Sequence, residues 1–141
     1  MSRHLRSAPG GLVLVGRVRL VLTATVLWLA PGAIGAALLA LADPGEGEGG
    51  YRLWQIASAL GVSPLFSWAG WLVALPLTAL ALHRGWFGWL PAALIGAFSG
   101  WLIGLYAGAE HAGAFGMVAL LFLRAILGFT APAAFDPGPG R

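Results

Sequence analysis

Apolar residues run through this chain in four long blocks, and the polar positions fall almost entirely between them. The blocks cover 20–42, the greater part of 56–82, 88–109 and 113–135. A segment of about 20 apolar residues crosses the hydrocarbon core of a bilayer as a helix, because unpaired backbone groups are not tolerated there. The pattern therefore predicts an all-α integral membrane protein with four transmembrane helices at about 20–42, 62–82, 88–109 and 113–135, short loops and both termini on one side. A basic arm, 1–19, precedes this domain and a flexible tail, 136–141, follows it.

Within the blocks, proline and glycine mark where helices bend or meet. Pro31-Gly32 divides the first span and predicts a kink, with the small residues of Gly32–Ala37 open to a neighbouring helix. Ser63-Pro64 separates an interfacial segment at 53–60 from the second span, or else bends one long tilted helix; Pro76 predicts a second kink. Pro91 falls in the first turn of the third span, where its missing donor does little harm. Pro9-Gly10-Gly11 breaks the arm, after which Leu12–Arg19 reads as a short interfacial helix or as the first turns of helix one. Between the first two spans, Asp43 to Gly50 reads as a flexible acidic connection. Ala40-Leu41-Ala42 has the small-x-small form of a signal-peptide cleavage site, but the apolar run before it exceeds the usual core length, so it is read as a retained span.

The most ordered motif lies in the third span. Gly96, Gly100, Gly104 and Gly108 recur every fourth residue, about 6 Å apart along a helix axis, and form a flat ridge. In water such glycines weaken a helix, whereas in a membrane they admit another backbone at close range. All four are therefore assigned to helix packing, with Trp101 beside them as a contact for lipid or a partner.

Charge adds orientation. Only 9% of residues are charged and 59% are hydrophobic, with eight arginines, no lysine and no cysteine. Disulfides and thiol-ligated metals are excluded, and the net charge of +3 does not point to nucleic acid. Arg3, Arg6, Arg17 and Arg19 precede the first span, and His83, Arg84 and Arg141 fall on the same side. Asp43, Glu46, Glu48 and Glu110 fall on the other, with Arg52 and His111. By the positive-inside tendency both termini are cytoplasmic, in a bacterial inner membrane, with Arg17, Arg19, Glu110 and His111 at the interfaces.

Arg124 is the residue that fits least well, since a guanidinium inside a span needs hydration, snorkelling or a partner. No acid lies within one turn of it, and Glu110 is about 21 Å away along a straight helix. Snorkelling competes with a partner subunit, an anionic lipid or a bound ligand. Glu110-His111 has no further ligand at metal-binding spacing and reads as a polar turn. Ala97-Phe98-Ser99-Gly100 and His111 to Gly116 resemble fragments of the rhomboid-type intramembrane serine proteases. The serine string lacks that family's first glycine, and four spans fall short of its six-helix core, so the family is not assigned.

These features describe a non-catalytic accessory or structural subunit of a bacterial membrane protein complex, packing through the glycine ridge. The alternative is a small oligomeric channel, holin-like pore or transporter component. The partners expected are membrane lipids and either other integral membrane subunits or further copies of the chain.

Overall fold

The computed structural model describes residues 6–41 and 47–135. Among these residues every regular element is helical: α1 (Gly11–Val15), α2 (Arg17–Leu41), α3 (Gly47–His83), α4 (Trp89–Ala107), α5 (Ala112–Thr130) and a 3₁₀ turn at Pro132–Ala134. The helices α2 to α5 are the four that are long and apolar enough to cross a membrane. The predicted all-helical, four-span architecture is thus the one observed. Arg3, Asp43, Glu46 and the tail 136–141 lie outside the described residues.

Element boundaries differ from the sequence expectation in two places. First, α3 is one helix of 37 residues, the long-helix alternative for 53–82, and it also takes in Gly47–Gly50, expected as loop. At 1.5 Å per residue it is about 55 Å long, nearly twice the thickness of the hydrocarbon core. It continues through Pro64 because Ser63 Oγ donates to the carbonyl of Leu60, the acceptor that proline leaves without its amide, at 2.8 Å. Its first turns carry the Glu48–Arg52 ion pair at 2.8 Å and the stacked Tyr51–Trp54 pair, a polar and aromatic mixture suited to an interface. Second, α5 stops at Thr130 rather than 135, since the residue before Pro132 is driven out of helical geometry; Ala131 has φ −141° and ψ 60°. The two readings of Leu12–Arg19 each hold in part: α1 is a separate short helix, divided by Gly16 at φ +80° from α2, which takes in Arg17 and Arg19.

Small residues set how the helices pair. In the α2–α3 hairpin Gly35 lies against Gly61 and Ala57, and Gly32 against the ring of Pro64. Trp28 Nε1 donates to the Pro64 carbonyl at 2.9 Å, tying the two proline-bearing stretches together. In the α4–α5 hairpin Gly96 lies against Gly116, and Gly100 against Ala112 and Gly113. The hairpins meet where Gly70 of α3 faces Ser99 and Ile103 of α4. From there α3 runs back 23 residues to Gly47, whereas α4 ends four residues beyond Ile103, so the first hairpin is the longer.

The core gathers at one end of the bundle. Leu82, Phe87, Leu123, Leu127 and Ala134 are fully buried there, with Val15 of α1 among them. The first and last described segments meet at this level: Ala8 N donates to Ala134 O at 2.7 Å, Ser7 N to Gly85 O at 3.0 Å and Gly10 N to His83 O at 3.1 Å. Both ends of the described chain therefore sit at the same end of the helices.

Candidate functional site

The glycines predicted as one ridge divide into two roles. Cβ atoms built at Gly96 or Gly100 would fall on the backbone of α5, closer than any real side chain approaches. Gly104 is looser, with Ala109 O at 2.7 Å and Ala112 Cβ at 3.3 Å from its built Cβ. Gly108 does not pack at all. It is the left-handed C-cap of α4, φ +65°, and its amide bonds back to Gly104 O. Its assignment to helix packing is corrected on that ground: a built Cβ meets nothing within 4 Å. The partners of the ridge, Gly113 and Gly116, were visible in the sequence as small residues but carried no separate assignment.

The same hairpin holds the one charged side chain buried among the described residues. Arg124 is the thirteenth of the 19 residues of α5, six short of Thr130, and is 6% exposed. Its guanidinium carbon lies 3.7 Å from the Phe135 ring centroid and 5.0 Å from that of Trp89. Trp89 opens α4, and Phe135 follows the 3₁₀ turn and lies against Phe87 at 6.5 Å between centroids. The clamp thus comes from three parts of the chain. Attraction between a cation and aromatic faces is stronger where water is excluded, which offsets part of the cost of burial.

Gly128, one turn further along α5, explains how the guanidinium gets there. A Cβ built at Gly128 would sit 2.8 Å from Arg124 Nη1. Helical side chains lean toward the N-terminus. Arg124 instead runs the other way, over Gly128 and toward the end of the bundle where Ala8 meets Ala134. Its Nε is buried without an acceptor among the described residues. The sequence signal, arginine followed by glycine at i+4, went unread.

Beside this clamp is an apolar groove of about 260 Å³, lined by Trp89, Val118, Leu121, Phe122 and Ala125. Trp89 belongs to both, covering the guanidinium and walling the groove. Val118 and Phe122 are exposed, so the groove opens outward to the surroundings of the helices.

The remaining predicted positions do not converge on this site as a group. Arg17 and Arg19 are exposed at the start of α2, and Arg19 Nη1 donates to the Thr130 carbonyl at 2.6 Å, capping α5. Glu110 and His111 are exposed in the α4–α5 turn at the opposite end. Trp101 is exposed and lies beside Phe98, with ring centroids 6.4 Å apart. The Ser99 hydroxyl is committed to its own helix, donating to Ile95 O at 2.7 Å and reaching Gly96 O at 3.2 Å. No cluster of three potential metal ligands occurs among the described residues.

Comparisons with protein families, with curated proteins and with solved structures returned no match. The chemistry on offer is therefore that of this chain alone: a sheltered cation, an adjoining apolar groove and glycine-tight hairpins.

Proposed function

We propose that this chain is a non-catalytic accessory or structural subunit that sits beside another integral membrane protein. One observation carries this reading. Leu94, Phe98, Trp101 and Leu105 follow one another on α4 at steps of four, three and four residues, and all are exposed. That is the spacing of a helix-packing seam. The other faces of α4 are engaged, Gly96 and Gly100 by α5 and Ser99 and Ile103 by α3. A partner helix laid on the seam would find a surface already backed by α3 and α5. The competing reading, a channel or pore assembled through the glycine ridge, is less favoured because those glycines already hold α5. Charge supports a bacterial inner-membrane location with the compact end cytoplasmic, since Arg6, Arg17, Arg19 and Arg84 belong to that end.

Native mass spectrometry of the gently extracted protein tests the proposal. The expected result is a heterologous membrane subunit at fixed ratio, lost in a Phe98→Ala/Trp101→Ala variant whose helical content is unchanged. A defined homo-oligomer without other subunits, conducting in planar bilayers, would overturn it.

A further inference from the structure

The clamp covers most of Arg124 but leaves its buried Nε without an acceptor among the described residues. A guanidinium carries five N–H donors, and aromatic faces accept none of them in the manner of an oxygen. The side chain passes over Gly128 toward the compact end, and among the described residues Nε has no acceptor. No acidic residue occurs in any described helix between Arg52 and Ala107, nor within α5. Asp136, next after Phe135, lies outside the described residues; an anion reaching Arg124 from outside these helices would approach at the depth where Trp89 and Phe135 stand.

The groove indicates the form in which that anion arrives. Its lining is wholly apolar, it is open sideways, and it shares the Trp89 ring with the arginine clamp. A free ion has no use for such a groove, whereas a phospholipid has both a phosphate and a chain. We infer that Arg124 and the groove of Trp89, Val118, Leu121, Phe122 and Ala125 form a binding site for one anionic phospholipid. Its phosphate is read by the guanidinium and one acyl chain lies along α5. Arg19, fixed on the Thr130 carbonyl at the end of the same helix, adds positive potential at headgroup level. Gly128 acts as a positioning residue, because a side chain there would push the guanidinium out of its path.

The test uses the full chain exposed to equal amounts of phosphatidylglycerol and phosphatidylcholine of matched chains, with retained lipid counted by native mass spectrometry. The wild type should retain one phosphatidylglycerol with a preference of about fivefold, the size expected for one arginine near an anionic surface. Arg124→Gln should bring the preference close to parity, Arg124→Lys should keep part of it, and Gly128→Ala should reduce it at unchanged helicity. Val118→Trp fills the groove from its exposed side and should reduce retention of both lipids. Excess inorganic phosphate should leave the bound lipid in place, because the chain contributes to binding. Equal retention of the two lipids by the wild type would overturn the assignment, as would a preference that survives Arg124→Gln. If Arg124→Gln does not fold, undiminished retention in Val118→Trp is the overturning result.

Discussion

At the end of the bundle where α3 turns into α4, the chain is held by a mesh of hydrogen bonds between segments far apart in sequence. Ser7, Ala8 and Gly10 pair with Phe87, Gly85, Ala134 and His83, and α1 with the 3₁₀ turn closes over Leu82, Leu123 and Leu127. At the opposite end the hydrogen bonds outside the helices, among the described residues, are local to the α4–α5 turn. Each hairpin keeps its own glycine contact, while Leu41, Trp54, Tyr106 and Phe115 are exposed, Tyr106 at 91%. The contrast follows from what each end has to satisfy. Helices inside a bilayer pair their own backbone and gain little from burying apolar surface against one another, so close packing at glycine is what holds them. The connections at the compact end have irregular backbone, whose donors and acceptors need partners before they can be buried. One end is joined by shape, the other by hydrogen bonds.

The most severe way to break the shape-joined half is Gly100→Leu. The side chain has nowhere to go but the backbone of Ala112 and Gly113, so α4 and α5 must separate or slide. The expected loss is about 3 kcal/mol or more, read as a lowered midpoint of unfolding in sodium dodecyl sulfate. Gly108→Ala, at the same spacing on the same helix, should lose only about 1–2 kcal/mol from a left-handed φ that alanine resists. Equal losses in the two variants would mean that a shared packing ridge, not a ridge and a cap, is the right description.

That pair also shows how far the sequence could be read. Four apolar blocks made the four helices legible, because length and lack of charge leave a membrane segment little alternative. The fourfold glycine spacing located the α4–α5 contact but could not tell Gly108 from the others. The distinction depends on where α4 ends, and hence on the turn Gly108–His111 that only tertiary structure fixes. The length of α3 was open for a similar reason: Pro64 predicts a break unless a nearby hydroxyl takes the orphaned carbonyl, as Ser63 does. Arg124 stood out in sequence as a charge in need of a partner. Its clamp did not, because Trp89 and Phe135 come from other elements than Arg124, and the termination of α5 at Thr130, ahead of Pro132, is what brings Phe135 back over the helix.

The hydrogen-bonded end should yield to a smaller change. Ser7 Oγ accepts the amide of Phe87 at 3.2 Å, and both residues are buried. Ser7→Ala leaves that amide without a partner, at an expected cost of about 1–3 kcal/mol. Amide hydrogen exchange separates this from a general loosening. Protection should fall at Phe87 and at the neighbouring arm and 3₁₀ turn, while the Gly96–Gly116 contact region keeps its own. Loss of protection at both ends together would show that the bundle opens as one cooperative unit, with no energetic boundary between its two ends.

The smallest effect belongs to Arg19. Its guanidinium meets the Thr130 carbonyl, one of the acceptors that the end of α5 leaves without an intrahelical donor, and its charge lies at the negative end of the helix dipole. The position is exposed, so Arg19→Gln should cost no more than about 1 kcal/mol and less as salt is raised. The loss should be confined to faster exchange in the last turn of α5. Because Arg124 lies six residues back on that helix and Phe135 follows its end, fraying there would also loosen the aromatic clamp. An Arg19→Gln variant with an unfrayed α5 would assign the end of that helix to Ala131, whose amide bonds to Leu127 O at 2.8 Å, and leave Arg19 as a surface charge.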